Sequence, residues 1–164
     1  MEQLSDEKIV GRFQESGEMA LLEELVARHI TTVRAMIYPM VLNDADADDL
    51  TQEVFIRASR GLVRFKARSR FRTWLYRIAM NTTYSFLKRR SRNPVVPHAD
   101  PPERQDAGAA PDSAMAAREM DGEIGEALES LSPRLRAAIG LTAIQGMAVK
   151  DAAAVEGCLP ATMY

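Results

Sequence analysis

From Glu18 to about Val41 the apolar residues Leu21, Leu22, Leu25, Val26, Ile30, Val33, Ile37 and Met40 recur three and four positions apart, the spacing of one helix face. A shorter helix precedes it, with Ser5 as a plausible N-cap and an end near Ser16–Gly17, where glycine can take the left-handed conformation. Asn43–Asp44 punctuates the chain. Acidic residues then crowd the start of the next helix, where the helix dipole favours them, and Leu50, Val54, Phe55 and Ala58 form its apolar face as far as Gly61. After a loop at about Val63–Arg70, a last helix runs from Phe71 to about Arg90 on Leu75, Ile78, Ala79, Thr82 and Phe86. No stretch shows sustained period-two alternation, so strands are not expected.

The segment Asn93–Ser113 breaks this pattern. Pro94, Pro97, Pro101, Pro102 and Pro111 stand among Gly, Ala and Asp, with few large apolar side chains to offset the ordering entropy, which predicts a flexible linker. Beyond it, Met120, Ile124, Ala127, Leu128 and Leu131 make an amphipathic stripe over Ala114–Leu131. Ser132-Pro133 then opens a helix on Leu135, Ala138, Ile139, Leu141, Thr142 and Ile144 that reaches Gly146. Ala148–Glu156 reads as a short helix, Gly157-Cys158 as a turn, and Pro160–Tyr164 as the first turn of another, which is a helix-turn-helix outline. The expected fold class is all-α: two small helical domains, 1–92 and 114–164, joined by a linker at 93–113. The second is a helix-turn-helix domain cut short in its recognition helix.

Charge changes the picture more than composition does. The chain of 164 residues has a formal net charge of −2, yet twelve of its twenty-one Lys and Arg crowd into Arg57–Arg92, and no acidic residue occurs between Glu53 and Asp100. Six of the ten aromatic residues share that window: Phe65, Phe71, Trp74, Tyr76, Tyr84 and Phe86. Cations attract phosphates and aromatic faces stack on unpaired bases, so the block fits a reader of single-stranded nucleic acid. A solvated basic face over an ordinary aromatic core fits it equally. One cysteine excludes an internal disulfide and a multi-cysteine zinc site. The apolar runs are too short for a membrane span and the acidic start is unlike a signal peptide, so a cytoplasmic protein is expected.

Trp74, Arg77, Asn81, Tyr84 and Lys88 are spaced to share one helical face, opposite the apolar stripe. The preceding loop, Arg64-Phe65-Lys66-Ala67-Arg68-Ser69-Arg70, surrounds an aromatic ring with four cations and suits a base that has left the stack. Trp74 and Phe71 are expected in the core. Asp44, Asp46 and Asp48 suggest calcium, but an EF-hand loop counted from Asp44 needs glycine at Asp49 and glutamate at Phe55. His29 is expected on the helix surface or half-buried. No catalytic triad and no phosphate-cradling glycine loop is present, so neither catalysis, a metal nor a cofactor is expected.

The run Asp46-Ala-Asp48-Asp49-Leu-Thr-Gln52-Glu53-Val-Phe55, then Phe65, then Phe71-Arg-Thr-Trp74-Leu-Tyr-Arg77-Ile-Ala-Met-Asn81, closely resembles region two of bacterial extracytoplasmic-function (ECF) sigma factors. The part from Leu131-Ser-Pro133 through Gly146-Met-Ala-Val-Lys-Asp-Ala-Ala-Ala-Val to Cys158 is similar to their region four. The resemblance implies a specificity subunit that directs core RNA polymerase to promoters and assists melting. It assigns Asp48, Asp49, Gln52 and Glu53 to the β′ clamp helices. Minus-ten DNA would fall to Phe65, Lys66, Arg68, Arg70, Arg77, Asn81, Tyr84, Lys88, Arg89 and Arg90. Pro160, Ala161, Thr162 and Tyr164 would face the minus-thirty-five element, with region four also touching the β flap. An anti-sigma factor is a further implied partner. Because the sequence stops inside the recognition helix, Leu141, Ile144 and Val155 are expected to lack part of their cover, leaving the C-terminal unit mobile unless a partner covers them. A stand-alone helix-turn-helix regulator and a module that titrates an anti-sigma protein are the alternatives.

Overall fold

In the computed structural model, which describes residues 4–92 and 126–157, the regular structure is helical throughout. Helix α1 spans Asp6–Ser16, with the Ser5 hydroxyl accepting from the Lys8 amide and Gly17 closing it at φ 69°. Helix α2 (Met19–Val41) is the central one, and the others pack around it. It ends on Leu42, held at φ 52° while its N–H donates to the Tyr38 carbonyl at 2.8 Å. Helix α3 (Asp44–Leu62) starts from Asn43, whose side chain accepts from the Asp46 amide. Helix α4 (Phe71–Arg92) closes the N-terminal unit.

Val33, Met36, Ile37 and Met40 on α2 meet Val54 and Leu62 of α3 and Leu75 and Ala79 of α4, all shielded from solvent. Polar pins fix the register of this bundle. Arg34 of α2 donates to Asp44 and to Asp48 of α3, both at 2.6 Å, and Arg90 of α4 donates to Asp46 at 2.7 Å. The three aspartates that suggested calcium are thus engaged by guanidinium groups. His29 lies deeper than expected. It is 8% exposed, its Nε2 is 2.8 Å from Asp6 Oδ2, and its ring meets Phe71 and Tyr76 edge-on at 5.5 and 6.3 Å.

Helix α5 (Pro133–Ile139) is capped by Ser132 as expected, but it does not run on as an α-helix to Gly146. Gly140–Ile144 widens into a π turn in which Gln145 N–H donates to the Gly140 carbonyl at 3.1 Å. The Thr142 hydroxyl bonds back to the Ala138 carbonyl at 2.7 Å, a contact that bends helices, and glycine offers little resistance. Helix α6 (Val149–Glu156) follows and ends on Gly157 at φ 69°. The cover that Leu141 and Val155 were expected to lack is present: they are buried, at 0% and 4% exposure, against the N-terminal helices. Ile144 alone of that trio stays out, 51% exposed. The expected linker, the start of the 114–131 helix and the Pro160–Tyr164 turn lie outside the described residues.

Candidate functional site

The α3–α4 connection builds the most distinctive surface. Arg64 and Phe65 N–H groups donate back to the Gly61 and Leu62 carbonyls at 3.0 and 3.1 Å, which turns the chain as α3 ends. Ala67 sits at φ 50°, a left-handed conformation that a small residue tolerates. Together the loop and the first turns of α4 enclose an open cavity of about 510 Å³. Phe65 and Trp74 give it aromatic walls, and Arg64, Lys66, Arg68 and Arg77 ring it with positive charge. Its size and its combination of apolar faces with convergent cations suit a nucleobase and its phosphate.

Phe65 is only half-buried, with its ring 5.0 Å from Trp74 and 6.2 Å from Phe71. Phe71 is buried and Trp74 is packed against the core, as expected. Phe71 therefore anchors the cluster, while Phe65 and Trp74 both present part of their rings to the cavity. Gly61 allows this stacking, since a Cβ there would stand 3.0 Å from Trp74 Cζ2.

Helix α1 holds the loop, a role that nothing in the local sequence pattern announces. Gln14 Nε2 donates to both the Leu62 and Phe65 carbonyls at 2.8 Å, and Glu7 Oε1 accepts from the Phe71 amide at 3.2 Å, capping α4. Removing the amide in Gln14→Ala strands two carbonyls, at roughly 1 kcal/mol each. The melting temperature should fall by about 2–8 °C and the loop should open to exchange. Thermal melts and amide exchange over residues 62–66 check this; an unchanged exchange rate there would remove Gln14 from the role.

Further along α4, Arg77, Asn81, Tyr84 and Lys88 do share one face, with Asn81 and Lys88 exposed. Arg77 Nε donates to the Ala154 carbonyl and the Tyr84 hydroxyl to Glu156 Oε2, both at 2.7 Å, so this face meets α6. Lys66, Arg68 and Arg70 are exposed on the loop. Arg89 lies elsewhere: with Phe86 it borders a groove of about 300 Å³ whose other wall is Asp49, Glu53 and Arg57 of α3.

The acidic residues of α3 divide into two groups. Asp48 is tied to Arg34, which makes it part of the α2–α3 pin. Asp49 and Gln52 are exposed, and Glu53 pairs with Arg57 one turn on, at 2.6 Å. Ile56 continues this stripe at 45% exposure, a large apolar side chain that the sequence pattern did not single out. The signal was available: Ile56 sits three residues beyond Glu53 and off the stripe of Leu50, Val54 and Ala58. Pro160, Ala161, Thr162 and Tyr164 fall outside the described residues.

Residues 25–93, which hold both surfaces, match the family model of sigma-70 region 2. Over 96% of its length the chain is 34% identical to the ECF RNA polymerase sigma-E factor of Escherichia coli K12, covering 85% of that protein. It is 32% identical to the Haemophilus influenzae sigma-E factor, again over 96% of this chain and 86% of the relative. The chain belongs to the ECF sigma factors. Among solved structures, CnrH in complex with the cytosolic domain of CnrY matches with a TM-score of 0.70 at 26% identity, covering 96% of this chain and 86% of that one. An engineered region 2 of sigmaE bound to GTAAAA matches with a TM-score of 0.53 at 36% identity, covering 58% of this chain and 99% of that one. This sigma factor is accordingly a transcription initiation factor that acts with RNA polymerase at promoters. Among the described residues, no helix is long and apolar enough to cross a membrane.

Proposed function

We propose that this sigma factor carries its two main contacts on neighbouring helices of an N-terminal domain spanning residues 1–92. The exposed stripe Asp49, Gln52, Glu53 and Ile56 on α3 docks on the β′ clamp helices of core RNA polymerase, with Asp48 contributing through the shape that it fixes. The loop cavity, walled by Phe65 and Trp74, captures an unpaired base of the minus-ten element. Lys66, Arg68, Arg70, Arg77 and Lys88 hold the strand from this face, and Arg89 and Arg90 reach its backbone from the side of α4 that adjoins α3, while Asn81 and Tyr84 face it. The observation that carries this is the cation-ringed, aromatic-walled cavity inside the segment that matches sigma region 2. A relative's region 2 binds GTAAAA with the same fold, which supports a single strand as the ligand.

The linker at 93–113 and the C-terminal domain at 114–164 complete the assignment. Pro160, Ala161, Thr162 and Tyr164 face the minus-thirty-five duplex, and that domain touches the β flap. CnrH is captured with CnrY, and an anti-sigma protein is the corresponding regulator here. The chain acts in the cytoplasm as a specificity subunit, with chemistry left to the polymerase. A stand-alone helix-turn-helix regulator is disfavoured because the built nucleic-acid cavity lies on the α3–α4 loop and not on α6. Run-off transcription by core polymerase reconstituted with this chain on a randomised promoter library tests the reading. Transcripts with defined starts and a shared minus-ten sequence are expected. Core binding without any template-specific transcript would overturn it.

A further inference from the structure

The cavity on the α3–α4 loop is rich in hydrogen-bond donors and poor in acceptors. Its charged lining side chains are Arg64, Lys66, Arg68 and Arg77. Arginine and lysine donate and cannot accept. No acidic residue occurs between Glu53 and Asp100, and among the described residues no carboxylate forms an ion pair with any of these four cations. Arg77 Nε is bonded to the Ala154 carbonyl at 2.7 Å, which leaves Arg64, Lys66 and Arg68 as the donors that the loop itself supplies. Ser69, half-buried, is the one described lining residue whose side chain accepts well. The carbonyls at the two ends of the loop are already engaged. Those of Gly61 and Arg70 accept from the Arg64 and Trp74 amides at 3.0 and 3.2 Å. Those of Leu62 and Phe65 accept from Gln14 Nε2, each at 2.8 Å.

We propose that this cavity selects its base by the exocyclic group. It takes guanine or thymine, whose keto oxygen accepts, over adenine or cytosine, whose amino group donates. This rests on the base capture assigned above and adds which bases are captured. Stacking supplies affinity without choice, because every base has a π face to lay against Phe65 or Trp74. Size does not choose either, since about 510 Å³ admits a purine and a pyrimidine alike. The hydrogen-bonding edge is what remains. Guanine offers O6 and N7, and thymine O4, to the surrounding donors. The amino groups of adenine and cytosine would meet guanidinium and ammonium groups donor to donor, and would lose the bond to water that they make outside. Arg64 and Arg68 carry the planar forks that can take O6 and N7 together, and Lys66 is a single-point donor.

Two pairs of bases isolate this chemistry. Hypoxanthine differs from adenine, and uracil from cytosine, in keto against amino at the exocyclic position and in the ring proton that goes with it. The probe is a labelled GTAAAA single strand in which each position in turn carries one of these four bases, titrated with the full chain. At the position whose base contribution is lost in Phe65→Ala, the keto member of each pair is expected to bind about tenfold more tightly. Arg64 and Arg68 are exposed, so replacing them should not disturb the fold. Arg64→Gln with Arg68→Gln puts two amides, each with an acceptor, in place of the forks and should erase the preference. Arg64→Lys with Arg68→Lys keeps donors only and should retain it, at whatever affinity remains. Equal binding of the two members, or tighter binding of the amino member, at the Phe65-dependent position would overturn the selectivity and leave base capture standing. A keto preference that survives the glutamine pair would remove the two arginines from the role. If binding at no position depends on Phe65, base capture itself falls and the selectivity with it.

Discussion

Reversing the charge at Asp49 and Glu53 together is expected to reduce affinity for core RNA polymerase by two orders of magnitude or more while leaving the fold intact. Both side chains project from α3 onto a surface that the protein does not use for its own core. Asp49 is exposed, and among the described residues the salt-bridge partner of Glu53 is Arg57, one turn on. An exposed i,i+4 pair contributes only about 0.3–0.5 kcal/mol, so Glu53→Lys should hardly move the melting temperature. At an interface the same changes juxtapose like charges, which costs on the order of several kcal/mol when the partner is cationic. Ile56→Asp should act in the same direction, since it puts a charge where an apolar side chain, 45% exposed, is available to dock. Asp48→Asn is the instructive contrast. Asp48 is bound to Arg34, so its loss should show in thermal stability before it shows in polymerase binding. Native-state mass spectrometry or competition against an unmodified sigma subunit measures the affinity, and circular dichroism the fold. Full affinity in a folded Asp49→Lys/Glu53→Lys protein would take this surface out of the contact.

What was legible in the sequence was local. Ser5 and Ser132 act as caps because a short polar side chain reaches an amide three residues on, Asn43, read only as punctuation, does the same, and Gly17 and Gly157 end helices because they tolerate positive φ. These signals need no knowledge of the rest of the chain. The periodic apolar stripe of α2 is likewise a property of one helix, although Ile30, on that stripe, is 42% exposed. The site was half legible for the same reason. Spacing alone puts Arg77, Asn81 and Tyr84 on one face, whereas the contacts that position or occupy that face join residues far apart. Gln14 reaches Phe65, and Arg77 reaches Ala154. Periodicity says nothing about such pairs. The π turn at Gly140–Ile144 follows the same rule, since the helix there is pressed onto the backbone of α2 and a glycine lies at the contact.

Phe65→Ala is expected to weaken binding of single-stranded minus-ten DNA, and open-complex formation, by about tenfold or more, since a base stacked on an aromatic ring is worth roughly 1–3 kcal/mol. The structure adds a second consequence. Phe65 also packs against Trp74 and Phe71, and aromatic pairs of this kind contribute about 0.5–1.5 kcal/mol beyond their buried area. Truncation should therefore lower the melting temperature by a few degrees as well, at roughly 2–4 °C per kcal/mol. Two further variants separate the contributions. Phe65→Leu refills most of the volume beside Trp74 and should recover stability, but it offers no π face and should bind DNA as poorly as alanine. Phe65→Tyr keeps both the ring contacts and the stacking face and should resemble the unaltered protein in both measurements. A 2-aminopurine placed in turn at each position of a GTAAAA strand gives the matching spectroscopic readout. The base that enters the cavity should change its fluorescence with phenylalanine or tyrosine at position 65, and not with leucine. If leucine restores DNA binding together with stability, Phe65 acts only by packing the loop, and the base must be held by Trp74 and the surrounding cations instead.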